Sequence, residues 1–85
     1  MLVRICTPLR SYTQSSQVYA AGSTIAEVLD DLEVQFPGLR FRVIDEQGRI
    51  RQHMRLYIDR DHVRSTDLSI GSSQELTLMQ ALSGG

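Results

Sequence analysis

The clearest pattern in the chain is an apolar stripe at helical spacing between Thr24 and Phe36. Thr24 and Glu27 match a capping box, in which a hydroxyl caps the helix and a carboxylate follows three residues later. Pro37-Gly38 ends the pattern, because the residue before a proline is disfavoured in the α region. The apolar positions follow i, i+3, i+4, i+7 and i+11, and they are Ile25, Val28, Leu29, Leu32 and Phe36. The spacing predicts one amphipathic helix that ends at about Phe36.

Alternating apolar and polar positions predict strands on either side of this helix. In the last of them, Leu76 and Leu78 should face inward, and Thr77 and Met79 outward. Tyr57 should likewise point away from the core. The predicted strands are Met1 to Thr7, Gln17 to Ala21, Met54 to Asp59, His62 to Arg64 and Leu76 to Ala81. Between the first two, Leu9 to Ser16 is expected to form a polar connection.

The stretch from Leu39 to His53 fits neither period well. We expect a short helical turn, a turn at Asp45 to Gly48, and then an exposed loop that carries Arg49 and Arg51.

The order of the elements predicts an α+β fold. A mixed sheet of four to five strands should have one main helix packed across one face. If the first and last strands are central neighbours, they run parallel because a long crossover separates them, which is the plan of a ubiquitin-like β-grasp. We expect residues 1–81 to form the β-grasp domain and residues 82–85 a flexible C-terminal Gly-Gly tail.

Composition narrows the class of protein. The 85 residues have a net charge of −1 and a single cysteine, Cys6, so an intrachain disulfide is ruled out. No apolar run is long enough to span a membrane, and charge is not concentrated in a phosphate-binding stripe. We therefore expect a cytoplasmic protein that binds neither nucleic acid nor membrane. All nine basic residues are arginine. One interpretation is a codon bias toward arginine. The other is functional: without lysine, the chain has no side-chain amine that could capture its own activated C-terminus. Both can hold at once.

The sequence shows no arrangement of residues that is typical of an enzyme active site. His53 and His62 lack the spacing of a zinc site, and Cys6 lies in a predicted strand without an activating signature, so a buried inert thiol is the better interpretation. Asp30 and Asp31 point about 100° apart on the helix and are expected to be solvated. We predict no catalytic residue, no metal site and no bound cofactor.

The C-terminal Leu82-Ser83-Gly84-Gly85 is the stretch that could take part in a reaction. Two glycines without Cβ atoms can pass through a narrow channel in a partner enzyme, and the terminal carbonyl is unhindered. A carboxylate becomes an acyl donor once ATP converts it to an acyl-adenylate, which a sulfur nucleophile or an amine can attack.

The chain resembles the ThiS/MoaD family of ubiquitin-like sulfur-carrier proteins, and within it the carriers of the cysteine-synthase route. The ending Glu75 to Gly85 is similar to the family's last strand and tail. Further similarity lies in Pro8-Leu9-Arg10 with Thr13, Gly22-x-Thr24, Asp31-Leu32-Glu33, Leu56-Tyr57-Ile58 and Asp61-x-Val63-Arg64. One departure is Gln80-Ala81, where several family members carry a proline.

The resemblance implies a role for each tail residue. Gly85 would carry the adenylate and then the thiocarboxylate, and Gly84 would allow passage. Ser83 would be part of the tail, and Leu82 would be an anchor for the activating enzyme. Met79 and Tyr57 would help to dock the partner, although ordinary half-buried sheet packing explains both residues equally well.

The resemblance also implies a set of partners. A ubiquitin-activating-like adenylating enzyme would use the ATP, a synthase would accept the sulfur, and a metalloprotease would complete the cysteine route. Thiamin, molybdopterin, siderophores and other sulfur metabolites remain open as products. A ubiquitin-like protein modifier and a non-covalent β-grasp binding module are the alternative functions.

Overall fold

The protein is built around a five-stranded mixed sheet. The computed structural model describes residues 1–81. The strands are β1 (Leu2–Ile5), β2 (Gln17–Tyr19), β3 (Met54–Ile58), β4 (Asp61–Val63) and β5 (Leu76–Gln80), and the helices are α1 (Arg10–Thr13), α2 (Ile25–Gln35) and α3 (Leu39–Val43). The strand order across the sheet is β2-β1-β5-β3-β4. This is a ubiquitin-like β-grasp, as the order of the predicted elements indicated.

The centre of the sheet is the pairing of β1 with β5. The two strands run parallel, with Val3 opposite Leu76 and Ile5 opposite Leu78, while the outer pairs β1–β2 and β3–β4 are antiparallel. The prediction that the first and last strands are parallel central neighbours is therefore confirmed. The strands are one or two residues shorter than predicted at several ends.

Helix α2 covers one face of the sheet and begins as its sequence predicts. The Thr24 hydroxyl accepts a hydrogen bond from the backbone N–H of Glu27 (3.2 Å). The Glu27 carboxylate reaches back to the backbone N–H of Ser23 (2.8 Å) and to its hydroxyl (2.7 Å). The first of these bonds satisfies an N–H group that the first helical turn would otherwise leave unpaired, and the other two hold Ser23, the residue before the cap, against the helix. The helix ends at Gln35, one residue before the predicted limit.

The core lies between α2 and the covered face of the sheet. Buried apolar residues alternate along β3 and along the first three residues of β5, and they are Met54, Leu56, Ile58, Leu76 and Leu78. The helix contributes four fully buried side chains, Ile25, Val28, Leu29 and Leu32.

The connection from Leu9 to Ser16 is not the polar loop that the sequence predicted. A 3-10 turn over Thr7–Leu9 leads into α1, and Leu9 is only 3% exposed. Thr13 is also buried, and its hydroxyl donates to the carbonyl of Ser15 (2.7 Å). Leu9 and Thr13 lie four residues apart, so one helical turn brings both toward the core.

Candidate functional site

The exposed face of the sheet carries the two residues predicted to dock a partner. Met79 is 46% exposed, and Tyr57 is half-buried. Arg55 stands opposite Met79 in the pairing of β3 with β5, and Tyr57 stands opposite Thr77. Met79 and Tyr57 are therefore diagonal neighbours about 7–8 Å apart. One partner surface can contact both residues.

Tyr57 and Met79 differ in how they are held. The Tyr57 ring packs against His62 of the neighbouring strand, with 5.3 Å between ring centroids and 38° between the ring planes. Tyr57 therefore has a packing contact within the sheet. Met79 leaves nearly half of its surface available to another molecule.

The end of β5 brings Ala81, the last described residue, beside this face. The backbone N–H of Ala81 donates to the carbonyl of His53 (2.8 Å), which extends the ladder just beyond the last pair, Met54 with Gln80. The chain thus leaves the sheet at the end where Met79 lies. The predictions for Leu82, Ser83, Gly84 and Gly85 lie outside the described residues.

Cys6 and His62 do not form a reactive pair. Cys6 follows directly on β1, and its backbone N–H donates to the carbonyl of Leu78 (3.2 Å). His62 lies on β4, three strand spacings or about 14 Å away across the sheet. Within residues 1–81, the structure contains no group of three His, Cys, Asp or Glu side chains arranged to hold a metal ion. No helix in that range is long and apolar enough to cross a membrane.

Arginine side chains near the tail base were not singled out by the sequence analysis. Arg51, Arg55 and Arg64 line one hollow of about 300 Å³, together with His62. The pairing of β3 with β4 in a hairpin could have revealed this grouping of arginines. Its register pairs Leu56 with Val63, so the next pair outward is Arg55 with Arg64.

Comparisons with known proteins identify the family of this chain. A model of the ThiS family matches residues 3–85. The chain is 29% identical over 89 residues to the sulfur carrier protein CysO of Mycobacterium tuberculosis, and the match covers 98% of this chain and 96% of that protein.

Solved structures agree over the same length. CysO of Amycolatopsis orientalis in the BexX/CysO complex superposes with a TM-score of 0.91 at 28% identity, covering 99% of this chain and 98% of that one. The crystal structure of CysO from Mycobacterium tuberculosis superposes with a TM-score of 0.90 at 28% identity, covering 95% and 98%.

Proposed function

The chain belongs to the ThiS family, and from that premise we propose that it is a sulfur carrier that holds sulfur as a thiocarboxylate on Gly85. A carrier of the ThiS/CysO type is a substrate protein and not an enzyme. The observation that carries the proposal is the family match through Gly85, combined with a last strand that leaves the sheet beside the exposed Met79.

The chemistry needs only the terminal carboxylate of this chain. A carboxylate oxygen of Gly85 attacks the α-phosphorus of ATP, and pyrophosphate leaves. Hydrosulfide, or an equivalent sulfur donor, then attacks the carbonyl carbon of the glycyl-adenylate. The bond to AMP breaks, a proton is released, and a thiocarboxylate remains. After the sulfur has been passed on and the acyl bond has been hydrolysed, Gly85 is a carboxylate again.

Each step after the first contact belongs to a partner enzyme. We propose a ubiquitin-activating-like adenylating enzyme that binds the ATP, and a synthase that accepts the sulfur. A metalloprotease completes the set, because a product left joined to Gly85 through an amide bond would need hydrolysis. Support comes from CysO of Amycolatopsis orientalis, which was solved in complex with BexX.

Cysteine is the product that we propose first, because the chain resembles carriers of the cysteine-synthase route. The similarity to the CysO proteins supports this choice. Thiamin, molybdopterin, siderophores and other sulfur metabolites are the alternatives.

Intact-mass measurement tests the carrier chemistry directly. The full chain is incubated with the adenylating enzyme of its own host, ATP and a sulfur donor, and a mass increase of one oxygen-to-sulfur exchange is expected. A variant that lacks Gly84 and Gly85 keeps the whole described domain and should show no increase. An unchanged mass for the full chain would contradict the proposal, and isopeptide-linked adducts in a host lysate would favour a protein modifier.

Docking through Met79 and Tyr57 is the second part of the proposal. Met79→Ala and Tyr57→Ala should raise the KM for the carrier in the adenylation reaction by about tenfold each, because buried aromatic and large apolar anchors dominate interfaces. Val34→Ala is the matched control, since Val34 is 80% exposed on α2, the helix that packs on the covered face of the sheet. Equal KM values for Met79→Ala and Val34→Ala would remove Met79 from the docking surface.

A further inference from the structure

The arginines of this chain are concentrated in one segment. Residues 39–64 hold seven of the nine arginines and four of the ten acidic residues. Their formal charge is therefore +3, and the rest of the chain has a charge of −4. A net charge of −1 for the whole chain conceals this separation.

Three of these arginines lie together at the end of the sheet where the tail begins. Arg51, Arg55 and Arg64 line the same hollow, and we call them the basic patch. Arg55 stands directly opposite Met79 in the pairing of β3 with β5. Any protein that contacts Met79 therefore comes within reach of the basic patch.

The basic patch is not neutralised within the described part of the chain. The ion pairs among residues 1–81 join Arg4 to Glu75, Arg40 to Asp30 and Arg49 to Asp45, and none involves the patch. The residues that line the hollow include no carboxylate: Ile50, Gln52, Met54, His62 and Val63 complete it.

Backbone contacts hold two of the three arginines in place. The Arg51 Nε donates to the carbonyl of Phe41 (2.6 Å), and its guanidinium lies 4.4 Å from the centre of the Phe41 ring. The Arg55 Nη1 donates to the carbonyls of Gln52 (2.8 Å) and Met54 (2.9 Å). Carbonyl partners orient a guanidinium without cancelling its charge, and prior ordering lowers the entropy cost of binding.

The loop that carries Arg51 is fixed as well. The Asp45 carboxylate accepts hydrogen bonds from the backbone N–H groups of Arg49 and Gln47, both at 2.9 Å. The Arg49 N–H is the main cause that lowers the pKa of Asp45, and the Gln47 N–H and the charge of Arg49 add to it. The backbone N–H of Arg51 donates to the carbonyl of Val43 (3.0 Å).

We propose that the basic patch binds an acidic surface, rich in Asp and Glu, on the enzyme that takes up the C-terminal tail. This inference rests on the proposed function, because the tail is what brings that enzyme to this end of the sheet. Guanidinium groups match carboxylates in a two-pronged geometry. Charge complementarity of this kind fixes the orientation of the partner and speeds the encounter.

A protein surface fits the patch better than nucleic acid does. The hollow has apolar walls at Ile50, Met54 and Val63. Three arginines would neutralise only a few phosphates of a nucleic acid backbone, whose binding depends on many such contacts. Mixed apolar and arginine surfaces are typical of protein interfaces.

Charge reversal in the adenylation reaction tests the proposal. The double variant Arg55→Glu/Arg64→Glu should raise the KM for the carrier by about tenfold and leave kcat nearly unchanged. Added NaCl should raise the KM of the unaltered chain and have much less effect on the variant. Arg60→Glu is the matched control, because Arg60 lies in the β3–β4 turn at the opposite end of these strands and should leave the KM unchanged.

A milder variant separates charge from folding. Arg55→Gln/Arg64→Gln removes both charges without reversing them and should give an intermediate KM, and thermal melting should be similar for all four chains. If the unaltered chain is adenylated and the charge-reversed variant matches Arg60→Glu, the basic patch has no role and the proposed function stands. If the unaltered chain is never adenylated, the proposed function fails. A separate binding measurement then tests whether the basic patch binds an acidic surface.

That measurement uses NMR of the labelled full chain with a capped hexaglutamate peptide. The amides of residues 51–55 and 62–64 should shift in the unaltered chain and in Arg60→Glu, and should not shift in Arg55→Glu/Arg64→Glu. Shifts spread over the whole surface would overturn the proposal. Tighter binding of an oligothymidylate of equal charge, or of inorganic pyrophosphate, at these same amides would overturn it too.

Discussion

The two faces of the sheet are made by the same strands and have opposite requirements. On the covered face, Leu76 and Leu78 pack against the core and are almost completely buried. On the exposed face, Thr77 and Met79 alternate with them and remain accessible to solvent. Folding free energy is therefore concentrated on one face, and the other face is left accessible to a partner. Substitutions on the two faces should have separate effects.

Leu78 and Met79 are adjacent residues that test this separation most strongly. Leu78→Ala should lower the free energy of unfolding by about 2–5 kcal/mol, because it opens a cavity in the core. Met79→Ala should change that free energy by less than about 0.5 kcal/mol, as most exposed substitutions do. Urea unfolding of both variants measures the difference. A similar loss of stability in both would mean that the exposed face also supports the fold.

Gly22 sets how closely the chain approaches the helix on the covered face. Its φ is 157°, and an added Cβ would lie 2.7 Å from the backbone nitrogen of Val28 and 2.9 Å from the carbonyl carbon of Glu27. Gly22→Ala should therefore cost about 2–3 kcal/mol in the free energy of unfolding, because backbone atoms of a helix cannot easily move aside.

Gly48 provides the control for conformation alone. Its φ is 80°, but an added Cβ meets no atom within 4 Å. Gly48→Ala should cost only about 1 kcal/mol, from the left-handed conformation. Equal losses for the two alanine variants would show that the contact with α2 adds nothing.

The covered face was largely predictable from sequence, and the exposed face was less so. Burial leaves a period in the chain, which is why α2, β5 and their inward residues were found. The helix α1 was missed because one turn is too short to show a period, although Pro8 in the 3-10 turn before it and the spacing of Leu9 and Thr13 were available signals. Among the candidate site residues, Met79 and Tyr57 could be placed from alternation alone.

The basic patch could not be predicted from the sequence and was found only in the structure. Arg51 and Arg55 meet Arg64 only through the register of a hairpin, and Arg55 meets Met79 through strands that are 24 residues apart in the sequence. Solvated arginines carry no period that would reveal such a grouping.

Thr24 is a smaller test of how α2 is held on the covered face. Thr24→Ala removes the oxygen that accepts the Glu27 N–H and should cost about 1 kcal/mol in the free energy of unfolding. Thr24→Ser keeps the hydroxyl and should retain most of the stability. The KM for adenylation should be unchanged in both variants, since the cap lies on the helix side of the molecule. A raised KM in Thr24→Ala would show that the two faces are coupled.

Glu27 adds a dependence on pH to the same helix start. Hydrogen bonds from the Ser23 backbone N–H, the Ser23 hydroxyl and the Thr24 backbone lower the pKa of Glu27 below its ordinary value of 4.5. Because the lowered pKa belongs to the folded state, its stabilising contribution is complete above pH 4.5 and is lost as the pH falls through the folded-state pKa. Unfolding by urea at neutral and acid pH should therefore show a smaller loss of stability on acidification in Glu27→Gln than in the unaltered chain.

Ser23→Ala sharpens the assignment, because it removes the hydroxyl and keeps the backbone N–H, which is the largest cause of the lowered pKa. It should therefore retain most of the acid dependence. If Glu27→Gln kept the full dependence, another carboxylate would be responsible for it, and the start of α2 would contribute to stability equally at every pH.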